Sequence, residues 1–157
     1  MADVTLRDIT QANWRECIML MPAEDQRDYV YSNLYSLAEA KYEPDWGLVP
    51  LGVYAGETMV GFVMYGRAVH GGQARWFIFR LMIDQNHQGS GYGRTAMQQV
   101  IAILAEKPDC DTVFVSYAPD NTAAQRLYTS LGFADAGMML DGDVVLQLST
   151  NQIDRGT

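Results

Sequence analysis

At 157 residues, 48% of them apolar, the chain can close one hydrophobic core but not two, so a single domain spanning 1–157 is expected. Nineteen acids against 11 Lys and Arg leave a net charge of -8, which excludes a nonspecific electrostatic grip on nucleic acid or an anionic membrane and favours a cationic partner. The longest apolar run, Val100 to Ala105, is far short of the roughly 18 residues of a membrane span, and the N-terminus lacks the basic and apolar segments of a secretory signal.

Cys17 and Cys110 are too few for a disulfide framework, and His70 and His87 lack neighbours at metal-ligand spacing. These features predict a cytoplasmic protein with reduced thiols and no metal.

In chain order, Val4 to Asp8 alternates as a first strand, and Thr10 is placed to cap a helix with the stripe Trp14, Cys17, Ile18 and Met21. Pro22 ends that helix and opens a second, bent one from Glu24 to Lys41, stopped by Pro44. The period then becomes two: Leu51 to Tyr54 and Met59 to Tyr65 form a hairpin, and a turn at Gly71-Gly72 leads into Trp76 to Ile83. That last segment is apolar at almost every position, as in a central strand covered on both faces. A helix from Gly91 to Glu106 buries Met97, Val100, Ile101 and Leu104; a strand at Thr112 to Tyr117 and a helix at Asn121 to Leu131 follow. Two strands around Asp141-Gly142-Asp143 close the chain. The order predicts a mixed α/β fold: a central mixed, twisted sheet with helices on both faces and one parallel crossover.

Gln88, Gly89, Ser90, Gly91, Tyr92, Gly93 and Arg94 lie between the buried strand and an amphipathic helix. Glycines there let several amides point into one small space, and the helix start adds about half a positive charge, which suits a phosphate or pyrophosphate. Gly91 to Ala96 also fits the dinucleotide pattern G-x-G-x-x-A, with Asp120 as its acid, but a nicotinamide or flavin domain would be badly truncated here. The Lys-Ser/Thr ending of an NTPase phosphate loop is missing.

Residues 81 to 93, Leu-Met-Ile-Asp-Gln-Asn-His-Gln-Gly-Ser-Gly-Tyr-Gly, resemble the Q/R-x-x-G-x-G/A signature of the GNAT family of N-acetyltransferases. Residues 121 to 133, Asn-Thr-Ala-Ala-Gln-Arg-Leu-Tyr-Thr-Ser-Leu-Gly-Phe, resemble its second motif, N-x-x-A-x-x-L-Y-x-x-x-G-F. Segments 32–41, 57–66, 79–84 and 116–121 are similar to a bacterial subgroup acting on diamines, spermidine or spermine. The resemblance implies acetyl-CoA as cosubstrate. Backbone groups of Leu81, Met82 and Ile83 would pair with its pantetheine arm, amides of Gln88 to Arg94 would hold its pyrophosphate, and Asn121 would bond the arm from the other side. Tyr128 would be the general acid for the leaving thiolate. Gln85 replaces the family's common proline and is expected only to alter the loop. Dimers are common in the family, and Met138 to Leu148 are plausible interface material.

A direct transfer needs a neutral amine, and at pH 7 exposing the lone pair of an amine of pKa near 10.4 costs about 4–5 kcal/mol. Relatives often use a glutamate on the central strand, but Trp76 to Ile83 holds no carboxylate. Water reaching Tyr117, Asp84 or an early-helix acid is the expected substitute, and an amide near Met82 would polarise the acetyl carbonyl. Tyr128 is equally explained by packing, since Ala124, Leu127, Tyr128 and Leu131 share a helical face. Arg80 either pairs with an early-helix carboxylate or lines the cleft. Glu24, Asp25, Asp28, Glu39, Glu43 and Asp45 against Arg27 and Lys41 concentrate a charge of -4 where the family's acceptor cleft would lie. Glu24, Asp28, Glu39 and Tyr117 are the candidate substrate residues, with Tyr29, Tyr31, Tyr35, Trp46 and Tyr54 as aromatic walls for a polycation. An acceptor of another kind (an aminoglycoside, an amino acid or a protein N-terminus) and a noncatalytic acyl-CoA-binding module are the competing readings.

Overall fold

The computed structural model describes residues 3–70 and 72–152. Among these, strands β1 (Val4–Asp8), β2 (Val49–Ala55), β3 (Thr58–His70), β4 (Gln73–Ile83), β5 (Thr112–Tyr117), β6 (Ala134–Leu140) and β7 (Asp143–Ser149) form one mixed sheet. Their order is β1-β2-β3-β4-β5-β7-β6, and β4 is central as its apolar run predicts. The β4–β5 pairing is parallel and the other pairings are antiparallel.

Both faces of the sheet are covered. Helix α3 (Tyr92–Ala105) lies on one face with its predicted stripe of Met97, Val100, Ile101 and Leu104 buried against Val53, Val63, Ile78 and Val113. Helix α4 (Thr122–Ser130) adds Leu127 and Tyr128 to the same cluster. On the opposite face α1 (Trp14–Met19) and α2 (Asn33–Tyr42) enclose a second cluster around Cys17, Phe62, Met64 and Met82. The buried Asn33 amide joins these two helices by donating to the Cys17 carbonyl at 2.8 Å.

The N-terminal helices depart from the sequence expectation. Leu20 is already extended, so α1 stops before Pro22 and Met21 lies past its end, 43% exposed. Thr10 caps the preceding turn by accepting from the Ala12 amide at 3.2 Å, and Asn13 stands at the helix N-cap. The bent helix expected over Glu24–Lys41 is instead a 3₁₀ segment, Glu24–Tyr29, and α2. The β-branched Val30 is extended between them, and the Ser32 hydroxyl starts α2 afresh by accepting from Tyr35 N–H at 3.0 Å. Gly71 of the predicted turn, and Met1 and Ala2, lie outside the described residues.

Gly61 of β3 faces Ile83, and a methyl group there would stand 2.5 Å from the Met82 carbonyl oxygen and 2.7 Å from Ile83 Cδ1. Gly61→Ala is therefore expected to cost about 1–3 kcal/mol by overpacking. Urea denaturation would read this as a lowered midpoint; an unchanged midpoint contradicts the close approach.

Candidate active site

Strands β4 and β5 pair only at Trp76↔Val113 and Phe77↔Phe114 and then separate. The cause lies two residues on, where Ile78 and Arg80 pair with adjacent β3 residues, Tyr65 and Met64, leaving Phe79 as an extra residue on β4. A bulge of this kind bends the strand that carries it. It also switches the side-chain parity: Trp76 and Ile78 pack in the α3-side cluster before it, and Leu81 after it. The Asp84 amide donates to the Val60 carbonyl at 2.8 Å, so ladder alternation turns the main chain of Met82 towards β3 and that of Leu81 and Ile83 into the gap. Met82 therefore departs from the expected trio of main-chain contacts. The Ile83 carbonyl already accepts from the Gln88 side chain at 3.1 Å.

A cavity of about 1180 Å³ opens through this gap. Its lining includes Gln88, Gly89, Gly91, Tyr92 and Gly93. Gly89 and Gly91 adopt positive φ with open space where a Cβ would stand, so the loop turns its backbone outward there. No side chain caps α3, and no hydrogen bond among the described residues takes the amides of Tyr92, Gly93 or Arg94. These orphan donors and the helix dipole make an anion cradle. The side chains of Ser90 and Arg94 stay outside the cavity: both residues are exposed, and Arg94 bonds Ser130, its Nη2 reaching the carbonyl at 3.3 Å. The Arg94 guanidinium is thus turned towards the end of α4.

Across the gap stand Tyr117, Asn121 and Tyr128. Asn121 is buried as the N-cap of α4 and accepts from the Ala124 amide at 3.3 Å. Tyr117 belongs to the core as well as to the cavity wall. The Tyr128 ring rests on Phe133, with centroids 6.0 Å apart, and its hydroxyl has no hydrogen bond among the described residues. Burial pushes its phenol up to about 12, so it holds its proton at any physiological pH.

The cavity is also lined by aromatic rings and acids. Trp46 stacks on Phe79 at 5.8 Å, with Phe77 beside them, and Asp25, Asp28, Asp141 and Asp143 stand on the walls. None of these four carboxylates has an ion-pair partner among the described residues. Burial, reinforced by the Asp141 charge, raises the Asp143 pKa above its ordinary value. Asp141 and Asp143 were legible in the sequence only as turn residues; nothing local signals that the last hairpin reaches the cavity. Of the acids singled out from sequence, Asp28 lines the wall, whereas Glu24 is exposed outside it. Glu39 is also outside, bonded to Arg80 Nη2 at 2.9 Å, and the guanidinium lies 4.7 Å from the Tyr31 ring centroid.

Asp84 is committed rather than free to relay a proton. Its carboxylate accepts from Met21 N–H at 2.9 Å and Asn86 N–H at 3.3 Å and meets His87 Nδ1 at 3.2 Å. Burial alone would raise its pKa, but these donors outweigh it and hold the carboxyl below the usual range. Gln85 does more than reshape a loop: its amide donates to the Met21 carbonyl at 2.7 Å and its side chain accepts from Arg27 at 3.2 Å.

A splayed pair of parallel strands, an anion cradle at the following helix and a proton-holding tyrosine opposite define an acyl-transfer site built around an extended, phosphate-bearing cosubstrate. The chain belongs to the acetyltransferase (GNAT) family, whose model matches residues 6–133. It is 28% identical over 152 residues to the spermine/spermidine N(1)-acetyltransferase of Bacillus subtilis (strain 168), covering 91% of this chain and 96% of the relative. The probable spermine N(1)-acetyltransferase of Bacillus subtilis subsp. natto (strain BEST195) matches equally, at 28% identity over the same shares. Among solved structures, spermidine N-acetyltransferase from Vibrio cholerae, in complex with CoA and spermine, superposes with a TM-score of 0.72 at 17% identity, covering 96% of this chain and 97% of that one.

The side chains of Arg80 and Glu39 are only 10% and 14% exposed. Glu39→Leu, which leaves the guanidinium buried and unpaired, is expected to cost about 3–5 kcal/mol. Adding Arg80→Met should recover much of it. Urea denaturation of both single variants and the double variant gives the coupling; strictly additive losses contradict the pairing.

Proposed function

We propose that this protein transfers the acetyl group of acetyl-CoA directly to a primary amine of a small polyamine, such as spermidine, spermine or a diamine. The observation that carries the reading is the meeting of two half-sites at the β4 bulge: a backbone gap with an anion cradle, and an aromatic chamber walled by unpaired carboxylates. The spermine and spermidine specificities of the relatives agree with the charge of that chamber.

Acetyl-CoA supplies the activated thioester. Leu81 and Ile83 present main-chain groups to its pantetheine arm, and the amides of residues 88–94 are directed at its pyrophosphate. Asn121 is placed to bond the arm from the β5 side. Tyr128 donates its phenolic proton as the thiolate leaves, a role that requires the protonated form its burial enforces. Asp25, Asp28, Asp141 and Asp143 hold the distal ammonium groups, and Phe77, Phe79 and Trp46 face the alkylene chain and its cations. The β4 strand carries no carboxylate, so the attacking nitrogen loses its proton to water. The two thiols, Cys17 and Cys110, are buried and free, which supports a cytoplasmic setting.

Thiol release measured with spermidine, spermine, putrescine, lysine and tobramycin tests the reading. Spermidine or spermine should be preferred, and Tyr128→Phe should lower kcat by about tenfold or more, within the range for general acid catalysis. Acetyl-CoA binding without turnover on any amine defeats the enzymatic reading. Asp143→Asn should raise the KM for spermidine severalfold while leaving that for acetyl-CoA unchanged.

Activity should climb with pH as more amine is neutral. Because the Tyr128 pKa is raised to about 12, its deprotonation produces no falling limb below about pH 10. A kcat profile that falls between pH 8 and about 9.5 in the wild type, but not in Tyr128→Phe, would contradict that assignment.

A further inference from the structure

The segment that starts the anion cradle and the segment that walls the acidic chamber are bonded to each other. Asp84 directly follows β4 and is buried; one carboxylate oxygen accepts from Met21 N–H at 2.9 Å and the other from Asn86 N–H at 3.3 Å. Gln85 N–H donates to the Met21 carbonyl at 2.7 Å. Met21 leads through Pro22 into the 3₁₀ segment that bears Asp25 and Asp28, and Arg27 of that segment returns to the Gln85 side chain at 3.2 Å. Residues 84–87 lead directly into Gln88 and the glycines of the cradle. The 3₁₀ segment buries none of its residues, and beyond these bonds its tie is at its far end, where the Tyr29 hydroxyl meets Asp120.

We propose that Asp84 and Gln85 are positioning residues that couple the two half-sites, so that occupation of the cradle orders the acid-bearing wall before the amine arrives. The inference rests on the function proposed above. The mechanism is thermodynamic: a ligand that fixes residues 88–93 also fixes 84–87, and through the Met21 bonds the wall loses freedom that amine binding would otherwise have to remove.

The test uses hydrogen exchange of the full-length protein with and without saturating coenzyme A. In the wild type, coenzyme A should slow exchange over residues 88–95 and, by about fivefold, over residues 23–30. Gln85→Pro removes the N–H donor while suiting its site, because Asp84 is extended (φ -55°, ψ 141°) and Gln85 opens a 3₁₀ turn. In this variant, protection over 88–95 should persist and that over 23–30 should fall to within about twofold of the free protein. Gln85→Ala, which keeps the N–H, should retain most of the wild-type effect. Asp84→Ala, which removes the acceptor for Met21 N–H, should behave like Gln85→Pro; if it does not fold, Gln85→Pro with Gln85→Ala decides the matter.

Protection confined to 88–95 in the wild type overturns the coupling and leaves the proposed function standing. So does unchanged protection over 23–30 in Gln85→Pro. Failure of coenzyme A to protect any segment defeats the proposed function itself, and the coupling with it.

Discussion

The site depends on one constraint: β4 must leave β5 after a contact only two residue pairs long. Had the parallel ladder continued, the groups of Leu81 and Ile83 would be consumed by β5 and no gap would open. The extra residue at Phe79 makes the separation a local property of β4, held open by large side chains on both faces. The same bulge puts Leu81 on the α3 side and leaves Phe77 and Phe79 on the side of the aromatic chamber. One inserted residue thereby serves both half-sites.

Much of this was legible because the relevant signals are local. The nearly unbroken apolar run of β4 requires cover on both faces, and the stripe of α3 has one hydrophobic side; each has a single compact solution. The glycines at 89 and 91 announce a turn with outward amides, and both take positive φ. The bulge was hidden by the same run, since a strand apolar at almost every position offers little alternation in which a register shift could show. Main-chain parity at Met82 was therefore unreadable.

Charged positions were harder for a different reason. Glu24, Glu39, Asp141 and Asp143 look alike in sequence, as acids near turns or on polar helix faces. Tertiary placement sorts them: Glu39 meets a buried guanidinium, Glu24 faces solvent, and the final hairpin brings Asp141 and Asp143 to the cavity from the far side of the sheet. Arg94 stands in the same loop, yet one helical step turns its side chain to Ser130. Proximity in sequence fixed which residues were near the cradle and left their direction open.

The separation of charge within the site bears on the chemistry of the amine. A carboxylate beside the reacting nitrogen would stabilise its protonated form and raise the cost of the attacking lone pair. In this chain the charges on and just after the final half of β4 are both engaged: Arg80 by Glu39, and Asp84 by two amides and His87. The unpaired acids sit on the walls, on the 3₁₀ segment and the last hairpin. A polycation long enough to reach them can be held by its far ammonium groups while the near nitrogen lies against aromatic rings and peptide dipoles. A monoamine has no second charge to leave at the wall, so the attraction that recruits it would also keep it protonated. Chain length and charge spacing, rather than a dedicated base on β4, are then what this arrangement selects.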